Sequence, residues 1–114
     1  MIEIMSDAVR VERCAEVAAA TLALIPAIFE GKSNPVRLEA ARPAVARIKA
    51  VVEAGSDGID EPRYLAWLGV APTNLRALEE AIDAGDADAA FAAFSDPQIG
   101  LNLLAGGCEG CPGW

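Results

Sequence analysis

Histidine is absent from the sequence, and no other absence removes as much chemistry. Without an imidazole there is no Ser-His-Asp or Cys-His nucleophile system and no histidine general base. Glu-x-x-His metal pairs and c-type haem attachment through Cys-x-x-Cys-His are lost as well. Cations are scarce: 9 Lys and Arg stand against 17 Asp and Glu, a formal charge of −8. Phosphate backbones and anionic membrane surfaces both reward Lys and Arg, so neither nucleic acid nor a membrane is an expected partner. Aromatics make up 5% of the chain, and the cysteines are only Cys14, Cys108 and Cys111. Three cysteines cannot all pair within one chain, and one of them sits inside an apolar helical segment. That is not a disulfide-scaffold pattern, and a reducing cytoplasm is the expectation. Long apolar runs are missing too. Residues 17–29 form the most apolar stretch, about half the length that spans a bilayer, and Pro26 interrupts it. Glu3, Asp7 and Glu12 offset Arg10 and Arg13 ahead of it, which is not the basic flank of a signal peptide.

What is present is alanine and helical periodicity. No segment alternates apolar and polar residues between hairpin turns, so the expected fold is all-α: a compact bundle of about five or six helices, two longer antiparallel ones followed by short ones. The first helix is predicted from a cap at Ser6 or Asp7 to about Phe29, with Val11, Cys14, Ala18, Leu22, Ile25 and Phe29 as its apolar stripe. Pro26 is expected to kink or end it. Asn34 followed by Pro35 caps a second helix carrying Leu38, Ala41, Val45, Ile48 and Val52 to Gly55, with a kink at Pro43. After the loop Ser56-Asp57-Gly58 the helices shorten. Asp60 or Glu61, followed by Pro62, opens one with Tyr64, Leu65, Trp67 and Leu68, closed at Gly69, and Thr73 opens another with Leu75, Leu78 and Ile82, closed at Gly85. Asp86 opens a third with Phe91 and Phe94. Ser95 or Asp96, with Pro97 at the first helical position, starts a last one through Ile99, Leu101 and Leu104, ended by Gly106 and Gly107. The division expected is a helical domain over residues 1–107 and a cysteine-containing tail over residues 108–114.

Charge is segregated. Residues 32–49 hold Lys32, Arg37, Arg42, Arg47 and Lys49 against Glu39 alone, whereas residues 79–96 hold six acids and no base. These are two solvated faces, or a basic helix docking on an acidic segment of this chain or of a partner. Glu79 and Glu80, each with Asp83, share a helix face but lie opposite the Leu75–Leu78–Ile82 stripe, so they are read as solvated acids rather than a catalytic pair. Residues 65–76 resemble the helix-turn-helix segment of DNA-binding repressors, with Leu68-Gly69-Val70 as the turn. The small residue Ala66 is one position out of register, and the following helix carries Glu79, Glu80 and Asp83, which would repel phosphates.

The tail concentrates unusual chemistry: Cys108, Cys111 and Trp114 all lie within the last seven residues. Trp114 is expected either to anchor the tail by folding back on the bundle or to be part of a functional segment. Thiol exchange at Cys108-x-x-Cys111 is disfavoured by Glu109 between the cysteines, by the acidic chain and by the absence of a following helix. A soft-metal site for copper, zinc or an iron–sulfur centre has two thiolates in one chain, or three if Cys14 approaches. Four thiolates would need a homodimer joined through two tails. Cys14 is otherwise read as a small buried hydrophobe.

A third reading comes from Leu101-x-x-Leu104-x-Gly106-Gly107. It resembles the end of double-glycine leaders in precursors of ribosomally made, post-translationally modified peptides. There, hydrophobic residues stand seven and four positions before the end of the leader, and a short cysteine-rich core follows. The resemblance implies that Leu101, Leu104, Gly106 and Gly107 serve recognition, that Cys108 and Cys111 are modified by a partner enzyme, and that the helical domain is a handle rather than an enzyme. The first expectation is thus a non-catalytic scaffold presenting a modified tail. A thiolate metal-binding protein and a helical interaction module with a structural tail are the alternatives.

Overall fold

The computed structural model describes the backbone of residues 2–96 and 98–114 and the side chains from residue 8 onward, apart from Pro97. The fold is all-α, with five α-helices: α1 (Ile2–Ser33), α2 (Arg42–Glu53), α3 (Pro62–Asp83), α4 (Ala87–Phe94) and α5 (Leu101–Gly107). A 3-10 segment, Pro35–Ala41, links α1 to α2. With 32 residues, α1 runs for about 48 Å at the usual rise per residue, which accounts for the long dimension of a 50 × 21 × 20 Å body. The 3-10 segment and α2 pack on one side of α1, α3 packs on α2, and α4 and α5 pack on α3, with α4 also reaching α1.

Pro26 and Gly69, which read as breaks, are inside helices, and so is Pro72. Pro26 lies within α1 and Pro72 within α3, and both face solvent. A proline in a helix interior frees the carbonyl four residues earlier. On the solvent side water takes up that carbonyl, so the helix continues. Gly69 is also exposed within α3, at a cost of about 1 kcal/mol in helix propensity. The stripe Tyr64, Trp67, Ala71, Leu75, Leu78 and Ile82, all buried, outweighs it. The two helices predicted on either side of Gly69 are therefore one, and the turn needed for a helix-turn-helix segment does not form. The second long helix of the bundle is α3 rather than the one after Asn34.

Pro43 does act as a divider. Asn34 caps the 3-10 segment by accepting from the Val36 N–H at 3.2 Å, and α2 begins only at Arg42, with Pro43 in its first turn. Leu38, Ala41, Val45 and Ile48 are buried as expected, joined by Val51, while Val52 is only partly covered. Helix α1 starts at Ile2, ahead of the expected Ser6 or Asp7 cap, and continues to Ser33. Asp86 caps α4 through the Ala89 N–H. The proline placed at the start of the last helix, Pro97, lies outside the described residues. Asp96 accepts from the Gln98 and Ile99 N–H groups, and α5 begins later, at Leu101.

The core-facing stripe of α1 is not the one predicted. The buried positions are Cys14, Val17, Ala20, Leu24, Ala27 and Ile28. Leu22 and Phe29 point outward, 75% and 51% exposed. At about 100° per residue the centre of the predicted stripe lies about 120° around the helix from that of the buried one, and Cys14 alone belongs to both. The helix carries two apolar faces, and its own core covers one of them.

The basic and acidic segments meet within the chain. Arg42 bonds Asp83 at 2.6 Å and also pairs with Glu39, Lys49 stands 3.9 Å from Glu79, and Lys32 stands 3.9 Å from Asp88. The Arg42 guanidinium holds the Glu39 carboxyl below the usual carboxylate range. All of these groups are substantially exposed, so the pairs are screened by water and salt and orient the helices more than they stabilise them.

Candidate functional site

The sequence singled out the tail, and the structure places it against α1 and α3. Helix α5 is short, and it lies on the first turn of α3. A Cβ at Gly107 would stand 2.7 Å from both the backbone nitrogen and the Cα of Tyr64. Only a residue without a side chain allows that approach. Leu104 is fully buried, while Leu101 is partly covered and packs on the core. Gly106 meets only the flexible Arg63 side chain, 3.3 Å from its Cδ. The two glycines therefore sit in different surroundings, and both lie inside a helix.

Beyond α5 the chain turns twice. The Cys108 N–H donates to the Leu104 carbonyl, the Cys111 N–H to the Cys108 carbonyl and the Trp114 N–H to the Cys111 carbonyl, at 2.9, 2.9 and 3.1 Å. Gly110, at φ +85°, supplies the left-handed residue that the first of these turns requires. The folded tail is then tied down from three directions. Arg10 donates to the Gly107 carbonyl at 2.9 Å, Arg63 pairs with the Glu109 carboxylate at 2.7 Å, and the Trp114 indole N–H donates to the Cys14 carbonyl at 2.8 Å.

The sulfurs depart from the expectation of reduced thiols. Cys14 and Cys108 form a disulfide with Cα atoms 5.7 Å apart, closing a sequence separation of 94 residues. Cys14 is buried, as read from the sequence, but as half of a bond rather than as a filler. Cys111 is the free cysteine, 4% exposed. With Cys14 and Cys108 bonded to each other, neither offers a thiolate to a metal or to an exchange partner. Among the described residues no group of three or more His, Cys, Asp or Glu is gathered as a metal site.

Sequence reasoning missed three features around the tail. Tyr64 is fully buried, and its hydroxyl has no hydrogen-bond partner among the described residues. Burial pushes its pKa above the ordinary phenol value, while the Arg13 cation pulls the other way. Asn74, the buried polar side chain of α3, donates to the Ala93 carbonyl at 2.7 Å and ties α3 to the last turn of α4. The third is an apolar ridge on α1. Leu22 and Phe29 head it, and there is no charged residue between Glu16 and Glu30. At one end Phe29 meets Phe91, 37% exposed, with ring centroids 5.8 Å apart, and Lys32 lies over both rings. At the other end Ala18, Thr21, Leu22, Gly113 and Trp114 line a shallow, mostly apolar pocket of about 180 Å³. The signal for the ridge was the stripe itself, assigned to the wrong face.

By length and composition α1 has a segment, Ala8–Ser33, long and apolar enough to cross a membrane, and 39% of its apolar window is buried inside the protein. In comparisons with known proteins, no family model matches the chain, and neither the curated proteins nor the solved structures contain a significant match.

Proposed function

We infer that the chain is a non-catalytic helical interaction module whose C-terminal segment acts as a clasp and whose α1 ridge is the binding surface. The observation that carries this reading is the second apolar face of α1, with Leu22 three-quarters exposed and no charge between Glu16 and Glu30. Large apolar side chains gathered on one exposed face mark an interaction site, and the ridge here is framed by aromatic groups at both ends. The tail supports the reading from the other side. Its cysteines and Leu104 are buried and Gly107 is wedged against α3, an arrangement suited to closing a fold. An enzyme acting on Cys108 would first need the disulfide reduced, and one acting on the buried Cys111 would need the tail lifted from the bundle.

The test is a charge placed on the ridge. Leu22 is three-quarters exposed, so Leu22→Glu removes little buried area and its effect on unfolding free energy is expected to stay within about 0.5 kcal/mol. A leucine that the chain itself covered would cost about 2–5 kcal/mol on truncation. Urea unfolding followed by circular dichroism separates the two, and a large loss for Leu22→Glu would sink the reading.

A further inference from the structure

We propose that Cys111 is an internal nucleophile that opens the Cys14–Cys108 bond by thiol–disulfide exchange and so releases the tail from α1. This rests on the reading of the C-terminal segment as a clasp and adds the means by which the clasp is undone. All three cysteines of the chain are buried where the tail meets the bundle. Cys14 and Cys108 are bonded to each other and fully covered, and the free cysteine, Cys111, is 4% exposed. Burial keeps an external thiol away from the bond while the tail is folded. Cys111 is already inside. Its N–H donates to the Cys108 carbonyl at 2.9 Å, in a turn whose left-handed residue is Gly110 at φ +85°. Such a turn holds its first and fourth Cα atoms within about 7 Å, and a disulfide bridges Cα atoms up to about 6.8 Å apart. A bond between Cys108 and Cys111 is therefore within reach with little change of backbone.

The step balances without an oxidant or a reductant. The Cys111 thiolate attacks the Cys108 sulfur, the Cys108–Cys111 bond forms and the Cys14–Cys108 bond breaks. The electron pair leaves on the Cys14 sulfur, which takes up a proton in place of the one that Cys111 lost. One disulfide and one thiol stand on each side. Attack across one turn is intramolecular, which favours it over an encounter with a second molecule. Glu109, between the two cysteines, is not an unopposed negative charge. Arg63 pairs with its carboxylate at 2.7 Å, and Arg10 donates to the Gly107 and Glu109 carbonyls at 2.9 and 3.4 Å. The consequence is mechanical: a covalent tie from residue 108 to α1 becomes a small loop within the tail. Hydrogen bonds such as that from the Trp114 indole to the Cys14 carbonyl, at 2.8 Å, are then left to hold the tail on α1. Gly113 and Trp114 line the pocket at one end of the α1 ridge, so releasing the tail reshapes the surface that the ridge presents.

The test follows the free thiol. The full chain, purified without reductant, is held native at mildly alkaline pH with iodoacetamide and no added thiol. Samples are quenched at intervals and their labels and disulfides mapped by mass spectrometry. The expected course starts from Cys14–Cys108 with an unlabelled Cys111. Single labelling then appears slowly on Cys14, in molecules that carry a Cys108–Cys111 bond, at a rate independent of protein concentration. Cys111→Ala, which keeps the buried position small and apolar, is expected to retain the Cys14–Cys108 bond and take no label over the same period. With glutathione added under native conditions, loss of the Cys14–Cys108 bond is expected to be at least about tenfold slower in Cys111→Ala than in the parent. Label that accumulates on Cys111 with the original bond intact, a Cys14–Cys111 product, or no label at all overturns the exchange. Equal rates of opening by glutathione in the parent and Cys111→Ala overturn it too, as does a labelling rate that rises with protein concentration, the mark of attack between molecules. In each of these cases the bond seen at the outset leaves the clasp standing. A chain that starts without a Cys14–Cys108 bond overturns both.

Discussion

Gly106 and Gly107 are adjacent and chemically identical, and the fold treats them oppositely. A methyl group at Gly107 would sit 2.7 Å from the backbone of Tyr64 and 3.1 Å from the Arg63 carbonyl carbon. Backbone atoms at the start of a helix cannot step aside as a side chain can. The α5–α3 contact must therefore open, and Leu104 must shift with it. Overpacking of this kind costs about 1–3 kcal/mol, and the backbone-on-backbone contact puts Gly107→Ala near the upper figure. For a chain of this size that corresponds to a melting temperature lower by about 8–12 °C. At Gly106 the nearest atom is Arg63 Cδ at 3.3 Å, the flexible part of an exposed side chain. Gly106→Ala gains helix propensity, up to about 1 kcal/mol, and is expected to be neutral or slightly stabilising. Thermal and urea unfolding of the two single variants, followed by circular dichroism, gives the comparison. Equal losses at the two positions, or a neutral Gly107→Ala, would refute the packing of α5 on α3. If the two glycines served only as an extended recognition segment for a modifying enzyme, neither substitution would register in the stability of the isolated chain.

Three further outcomes follow from the same structure. Reducing the Cys14–Cys108 bond releases a loop closed over 94 residues of separation; a loop of this size is worth about 4–5 kcal/mol in the chain-entropy treatment. The melting temperature in excess reductant is expected to be lower by about 15–20 °C, and an unchanged value would count against the bond. Tyr64→Phe removes a buried hydroxyl without a partner and is expected to leave stability unchanged or raise it by about 1 kcal/mol, so a clear loss in urea unfolding would show that the hydroxyl is satisfied. Asn74→Ala breaks the tie to the Ala93 carbonyl and is expected to cost about 1–3 kcal/mol. Increased amide exchange should be confined to α4 and the connection to α5, and exchange spread evenly over the molecule would argue against a local tie.

The helical class and the starts of α3, α4 and the 3-10 segment were legible because they rest on local chemistry: Asn34 before Pro35, Glu61 before Pro62 and Asp86 before α4 each cap as expected. The stops at Gly69 and around Pro26 misled, since the effect of a breaker depends on whether it faces water, and that is settled by tertiary packing. The stripe on α1 failed for a related reason. Periodicity detects an apolar face, but a helix with two such faces does not say which one its own core will cover. The salt-bridged meeting of Arg42 and Lys49 with Asp83 and Glu79 was visible as charge segregation along the chain. The tail was recognisable as the unusual segment from its cysteines and Trp114. Its pairing was not, because an odd number of cysteines with one partner 94 residues away carries no local signal. The tolerance of Gly107 for the Tyr64 backbone likewise exists only once α5 and α3 are packed together.

The claim that the tail is a clasp locked to α1 rests most directly on which sulfurs are joined. Protein purified without reductant is treated with a maleimide while native, then denatured, alkylated with a second reagent and mapped by mass spectrometry of its proteolytic fragments. The expected result is a cross-linked pair of peptides containing Cys14 and Cys108, with Cys111 protected from the first reagent and labelled by the second. A bond between Cys108 and Cys111, or three cysteines that all react in the native protein, would contradict the clasp.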